Sequence, residues 1–166
     1  EAGSSKMRAL QGDQLSVGEC LYGMMLASAN ESANALAEHC AGTIEAFAEM
    51  MNEKAAELGC TGSHFANPSG LNDENHYTTA RDMALITQAA LANPTFVEID
   101  SALYWKHAPI QRYPDPDDPG NTVYAHHAML KKNDSRYYSG AFAGKTGYTS
   151  LAGNTLVTAA QRDDMT

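Results

Sequence analysis

Basic residues are scarce in this chain of 166 residues, which has 11 Lys and Arg against 20 Asp and Glu and therefore a net charge of −9. A nucleic-acid-binding protein needs a basic stripe to offset phosphate charge, and a helix on a membrane surface needs a basic face. No apolar run reaches the roughly 20 residues that span a bilayer. The composition therefore argues against nucleic acid as a partner and places any membrane anchor outside this chain.

Cysteine is also rare, and the three thiols, Cys20, Cys40 and Cys60, lack the C-x-x-C spacing typical of metal or redox sites. All three fall at or beside predicted helices, so we expect reduced, buried structural cysteines. Among the six histidines, His126 and His127 form the only close pair, and adjacent side chains on a strand point to opposite faces. We therefore expect surface histidines, with no metal site and no cofactor.

Capping residues and apolar periodicity predict a helical first part and a different second part. Helices are expected at about residues 16–27, 31–41, 43–58, 79–91 and 95–99. Residues 63–76 are rich in turn-forming residues and predict a long loop. The stretch from Tyr104-Trp105 to Gly120 reads as irregular, and residues 141–160 alternate as strands do. The prediction is a helical part over about 1–100 and a loop and sheet part over about 101–166.

Two triplets stand out against this background. Ser28-Ala29-Asn30 lies at the junction of the first two predicted helices, and Lys145-Thr146-Gly147 lies in the predicted strands. S-x-N and K-T-G are two of the three elements that build the acyl-transfer site of penicillin-binding proteins and serine β-lactamases. The third element, the S-x-x-K that supplies the nucleophile, is missing, because no serine stands three places before any of the six lysines.

Each triplet alone has a simpler interpretation. Ser28 and Asn30 could satisfy frayed backbone groups at a helix break, and Lys145 could be an exposed lysine in a tight turn. Residues 140–146 also resemble a phosphate-binding loop. That pattern requires glycine at 139, where Ser139 stands, and a helix after the lysine, where strand-forming residues follow.

Four segments in order decide between these interpretations: residues 21–33, 65–71, 77–84 and 144–149. With them, nearly the whole chain resembles the D-alanyl-D-alanine carboxypeptidases, which are low-molecular-mass penicillin-binding proteins. The resemblance implies an α/β fold of the penicillin-binding protein and serine β-lactamase type. Residues 1–166 would then be a partial transpeptidase-like domain, with the helical subdomain and part of an antiparallel sheet.

The resemblance also implies a function. The expected protein is a bacterial enzyme outside the cytoplasmic membrane, in the cell envelope or secreted, that removes the terminal D-alanine of peptidoglycan stem peptides through an acyl-enzyme. β-Lactam antibiotics would be its inhibitors. Among the catalytic residues, Ser28 would relay a proton to the leaving amine, Asn30 would hold the substrate amide, and Lys145 would supply positive charge.

The substrate-binding residues implied by the resemblance follow Lys145 on the same strand. The Thr146 hydroxyl would face the substrate carboxylate together with Lys145. Gly147 would leave room for the acyl group, because a side chain there would fill that space. The backbone N–H of Tyr148 would form half of the oxyanion hole.

Two alternatives remain at this stage. The missing S-x-x-K is compatible with a fragment of a larger enzyme or with a non-catalytic peptidoglycan-binding relative that has lost its nucleophile. A start without Met or a signal-peptide pattern favours the fragment, which by itself is expected to be inactive. A serine β-lactamase is less favoured, because the E-x-x-L-N pattern needs glutamate where Pro68 precedes Leu71-Asn72.

Overall fold

The computed structural model describes residues 6–166, and its first part contains five helices. They are α1 Val17–Ala27, α2 Asn30–Ala41, α3 Ile44–Glu57, α4 Ala80–Leu91 and α5 Pro94–Ser101. The side chains of Ser16, Thr43 and Thr79 each cap a helix by accepting a backbone N–H three residues later. Gly42 and Gly59, with φ of 84° and 78°, follow the ends of α2 and α3. The predicted positions of these helices are confirmed within a residue or two, and α5 is longer than expected.

The second part contains two antiparallel strand pairs. They are β1 Tyr104–Lys106 with β2 Thr122–Tyr124, and β3 Ala141–Thr149 with β4 Gly153–Ala160. Short 3-10 turns lie at Pro119–Asn121 and Ala128–Leu130. The irregular structure expected at Tyr104-Trp105 is wrong. These residues form a strand because they pair with Tyr124 and Val123, and Trp105 stacks on Tyr22 with ring centroids 3.9 Å apart. The local sequence does not show this strand, because its partners lie far along the chain.

The main core joins the helices to the strands. Its buried members come from the N-terminal segment, α1, α5 and the region of β2: Met7, Tyr22, Leu26, Ala29, Ile99, Val123 and Ala125. In addition, α5 packs against β3. Burial of apolar surface in this core therefore fixes the α1–α2 junction relative to the sheet.

Three expectations about side-chain burial are wrong. Cys40 is exposed, whereas Cys60 is buried and Cys20 is half-buried, and all three thiols are free. His107 and His127 are not surface residues, because each is only 3% exposed. In each ring one nitrogen has a hydrogen-bond partner, Ala108 O at 2.7 Å for His107 and Thr158 Oγ1 at 2.9 Å for His127, while the other nitrogen is buried without one.

The long loop is tied to α4 by a buried carboxylate. Asp82 lies in the first turn of α4, after the cap Thr79. Its side chain accepts hydrogen bonds from Gly62 N and from Ser63 Oγ, each at 2.8 Å. This contact fixes the start of the loop over residues 63–76.

Within residues 6–166, none of the helices has both the length and the apolar composition needed to cross a bilayer. The same described residues hold no cluster of three or more His, Cys, Asp or Glu arranged to bind a metal ion.

Candidate active site

Ser28 occupies the junction between α1 and α2 in a conformation that is unusual for serine. Its φ and ψ of 55° and 37° are left-handed, and Ala29 N donates to Gly23 O at 3.1 Å to close the end of α1. Glycine is the usual residue here, and a residue with a side chain costs about 1 kcal/mol or more in this conformation. The sequence therefore places a hydroxyl where the backbone would favour glycine, as functional sites often do.

Lys145 reaches this hydroxyl from the sheet. It lies in the middle of β3, opposite Val157 of β4, and its side chain is largely buried. The Lys145 ammonium donates hydrogen bonds to Ser28 Oγ and to Thr146 O, the second at 2.7 Å. Ser28 and Lys145 are thus in direct contact, as a shared active site requires.

Burial lowers the pKa of Lys145 from its usual value, and the nearby carboxylate of Asp100 partly opposes this effect. The cause is desolvation, because a buried ammonium loses its hydration. A buried cation beside a hydroxyl is well suited to stabilise negative charge on a substrate, since its field is poorly screened by water.

The other predicted site residues lie at the start of α2 and on β3. Asn30 is the first residue of α2 and is half-buried. Thr146 is half-buried on β3, while Tyr148 is 72% exposed towards the end of that strand. A Cβ at Gly147 would lie 2.5 Å from Thr155 Oγ1, so the paired strand β4 supplies a second reason for glycine at this position.

Asp100 is a site residue that sequence reasoning missed. It lies in the last turns of α5, is only 6% exposed, and its Oδ2 accepts the backbone N–H of Gly144 at 2.7 Å. Desolvation raises the pKa of Asp100 to about 6, against the opposing effects of Gly144 N–H and of Lys145. The sequence gives only a weak indication of this role, an acidic residue next to Ile99 within a short apolar helix. The partner, Gly144 of β3, becomes evident only in the structure.

Gly144 is held closely from three sides. Its φ is 156°, and a Cβ there would lie 2.4 Å from Val157 O and 2.6 Å from His127 Nε2. A side chain would therefore collide with the backbone of β4 and with a buried imidazole. Glycine at this position lets β3 pass between Asp100 and His127 immediately before Lys145.

The loop predicted at residues 63–76 forms one edge of the site. Thr149 Oγ1, at the end of β3, donates to Asn72 Oδ1 at 2.8 Å and accepts the N–H of Ala152 at 2.9 Å. Asn67 Oδ1 accepts from Gly70 N at 2.8 Å and stabilises the loop internally. The loop is therefore joined through Asn72 to the end of β3, next to the exposed Tyr148.

Comparison with known proteins identifies the family of this chain. The family model of D-alanyl-D-alanine carboxypeptidases matches residues 1–166. The chain is 38% identical to the D-alanyl-D-alanine carboxypeptidase DacB2 of Mycobacterium tuberculosis over 149 residues, which cover 87% of this chain and 46% of that protein. It is 31% identical to DacF of Bacillus subtilis over 165 residues, which cover 98% of this chain and 39% of that protein.

A solved structure shows the same fold. The Streptomyces K15 DD-transpeptidase superposes with a TM-score of 0.81 at 30% identity, covering 95% of this chain and 60% of that one. The chain thus has the helix and antiparallel-sheet fold of the penicillin-binding DD-peptidases. It belongs to the D-alanyl-D-alanine carboxypeptidase family and spans about half the length, or less, of the curated relatives it matches.

Proposed function

We propose that this chain forms part of a serine D-alanyl-D-alanine carboxypeptidase that trims peptidoglycan stem peptides. The observation that carries the proposal is the contact between the Lys145 ammonium and Ser28 Oγ, which joins the two triplets across the cleft. Family membership over the whole chain supports the peptidase over the alternatives. The proposed location is outside the cytoplasmic membrane, in the cell envelope or secreted, and β-lactam antibiotics are the proposed inhibitors.

The residues have distinct roles in the proposed reaction. A serine outside residues 1–166 attacks the carbonyl carbon of the penultimate D-alanine, and the lysine of its S-x-x-K segment takes its proton. Ser28 Oγ passes that proton to the nitrogen of the departing D-alanine as the peptide bond breaks. Asn30 binds the substrate amide, and water later hydrolyses the ester.

The end of β3 binds the other side of the substrate. Lys145 and the Thr146 hydroxyl pair with the terminal carboxylate, and the buried ammonium makes this contact strong because little water competes. Gly147 leaves the edge of the strand open, and Tyr148 N–H donates to the oxyanion.

A fluorescent penicillin tests the proposal. We expect the full-length protein to form a covalent adduct and to release D-alanine from a peptide ending in D-Ala-D-Ala. The isolated chain 1–166 should remain unlabelled, since loss of the nucleophile costs on the order of a millionfold in turnover.

Three results would contradict the proposal. Labelling of residues 1–166 that disappears on substitution of one of their own serines would place the nucleophile inside this chain. A full-length protein that binds stem peptide but is never acylated would be the non-catalytic relative. Rapid turnover of the penicillin without release of D-alanine would indicate a β-lactamase.

A further inference from the structure

Asp100 is a buried carboxylate whose position in the fold requires an explanation. A carboxylate that is 6% exposed is costly to bury, and its Oδ2 accepts the Gly144 N–H at 2.7 Å. The hydrogen-bond donor is the peptide unit immediately before Lys145. A neutral amide at position 100 could accept the same hydrogen bond, so this contact alone does not account for a charged group here.

Asp100 lies between two cavities that flank β3. One is apolar and is shared with Lys145 and side chains of α1, α4 and β4, among them Met25, Met83 and Val157. The other is a small cavity that Asp100 shares with Thr146, His126 and His127. The carboxyl group therefore lies against β3 at the residues that surround Lys145.

The groups that face Asp100 carry little charge apart from Lys145. Helices α1 and α4 and strand β4 present apolar or hydroxyl side chains to these cavities. Burial lowers the pKa of both His126 and His127, so both imidazoles are neutral near pH 7. The charge that acts on Asp100 is that of Lys145, and Asp100 in turn favours the protonated form of Lys145.

We propose that Asp100 is a positioning residue for Lys145, which fixes β3 through the Gly144 N–H and, as a carboxylate, favours the protonated form of the Lys145 side chain. The role rests on the proposed function, because the protonated Lys145 is the group that pairs with the substrate carboxylate. The carboxylate of Asp100 accepts the Gly144 N–H, whereas the hydroxyl of Ser28 accepts a hydrogen bond from Lys145. It acts only through Gly144 and Lys145.

This arrangement links substrate binding to pH. Burial raises the pKa of Asp100 to about 6, so the carboxyl group is ionised at pH 7.5 and mostly protonated at pH 5. Protonation removes the charge that supports Lys145 while leaving the Gly144 contact possible. Lys145 itself stays protonated in acid, so the expected decline in acylation as pH falls through about 6 comes from the weaker hydrogen bond that a neutral carboxyl group makes to Gly144 N–H.

The test uses the full-length protein with three substitutions. Asp100→Asn keeps an acceptor for Gly144 N–H but removes the charge. Asp100→Glu keeps the charge but displaces it. Asp82→Asn is the matched control, because Asp82 is also buried on a helix and accepts a loop N–H from Gly62.

The first readout is the titration of Lys145 by NMR of its ¹³Cε, assigned with Lys145→Arg. It does not depend on activity, so it separates failure of this proposal from failure of the proposed function. In Asp100→Asn the pKa of Lys145 should fall below that of the unmodified protein, whereas Asp82→Asn should leave it unchanged. Equal Lys145 titrations in Asp100→Asn and the unmodified protein would overturn the proposal.

The second readout is the pH profile of acylation by penicillin. Asp100→Asn should lose the decline centred near pH 6 and react about tenfold or more slowly at pH 7.5, since small displacements of a reacting group have effects of this size. Asp100→Glu should restore part of that rate. Retention of the full rate and pH profile in Asp100→Asn would count against the positioning role.

A third measurement needs no substitution and covers the case in which Asp100→Asn fails to fold. In the unmodified protein, the Asp100 carboxyl carbon, the Gly144 amide and the Lys145 ¹³Cε should shift together with one midpoint near pH 6. An Asp100 that titrates near pH 4 without moving the other two signals would overturn the proposal.

Discussion

Lys145 donates a hydrogen bond to the hydroxyl of Ser28, a residue 117 positions earlier in the chain. The two elements that carry them meet because α5 packs on β3 while α1 packs on α5. The contact is therefore a product of the tertiary core, and local propensity contributes only the helix junction and the strand. Its two residues can be tested separately, since one is constrained by its backbone and the other by its burial.

Two substitutions at Ser28 should have the same effect on activity but different effects on stability. Ser28→Ala and Ser28→Gly both remove the hydroxyl, so both should reduce acylation of the full-length protein by about 10²- to 10⁴-fold. Because φ is 55°, Ser28→Gly should be more stable than Ser28→Ala by about 1–2 kcal/mol. Acylation rates and urea unfolding curves measure the two effects.

Each outcome has a clear contrary result. Near-normal acylation in either Ser28 variant would remove the hydroxyl from the proton path. Equal stability of the two variants would show that position 28 does not hold the left-handed conformation in solution.

Gly144 should be much less tolerant of a methyl group than other glycines of positive φ. Gly144→Ala places Cβ 2.4 Å from Val157 O, whereas a Cβ at Gly70, with φ of 76°, meets open space. We expect a loss of about 3 kcal/mol or more for Gly144→Ala, from steric overlap and strain together. Gly70→Ala should cost only about 1 kcal/mol, for its backbone conformation.

Urea denaturation of both glycine variants decides this prediction. Similar midpoints would mean that β3 can move away from β4 at Gly144 without cost. That result would also weaken the argument that the Asp100 contact fixes this part of the strand.

Much of the helical part could be predicted from sequence because its signals are local. Ser16, Thr43 and Thr79 cap helices through hydrogen bonds that span three residues, and Gly42 terminates α2 by its own backbone freedom. The strands within residues 141–160 could also be predicted from their alternation, since β3 and β4 are neighbours in the chain and pair with each other as one hairpin.

The features that were missed depend on distant partners. β1 is three residues long and is defined by pairing with β2 and by the stacking of Trp105 on Tyr22. The burial of His127 depends on β4, where the Thr158 hydroxyl forms a hydrogen bond with the imidazole ring. Asp100 acquires its role from Gly144, which lies 44 residues away. No periodicity or capping rule contains these pairings.

Two substitutions can distinguish the two hydrogen bonds of the Thr149 hydroxyl, one to Asn72 and one from Ala152 N–H. Thr149→Val removes the hydroxyl that binds both Asn72 and Ala152 N, while Asn72→Ala removes only the first contact. We expect losses of roughly 1 kcal/mol for each variant. Hydrogen exchange at the Ala152 amide should quicken in Thr149→Val and stay unchanged in Asn72→Ala. Equal exchange in both variants would mean that the turn does not depend on Thr149.

Two buried carboxylates should give opposite pH dependences of stability. The pKa of Asp100 is raised to about 6 from 3.8, so between these values the folded protein holds more protons than the unfolded chain. Its contribution to the free energy of unfolding therefore falls by about 3 kcal/mol as pH rises from 3 to 7. Hydrogen bonds from Ser63 and Gly62 lower the pKa of Asp82, so its contribution is present at neutral pH and is lost in acid.

Urea unfolding at a series of pH values between 3 and 8 separates the two groups. Relative to the unmodified protein, Asp100→Asn should gain stability as pH rises through 4 to 6, and Asp82→Asn should lose it as pH rises from the acid end. The opposite signs exclude a general effect of removing one negative charge from an acidic protein. A flat difference for Asp100→Asn would show that the pKa of Asp100 is the same in the folded and unfolded protein, and that hydration or closer pairing offsets the cost of its burial.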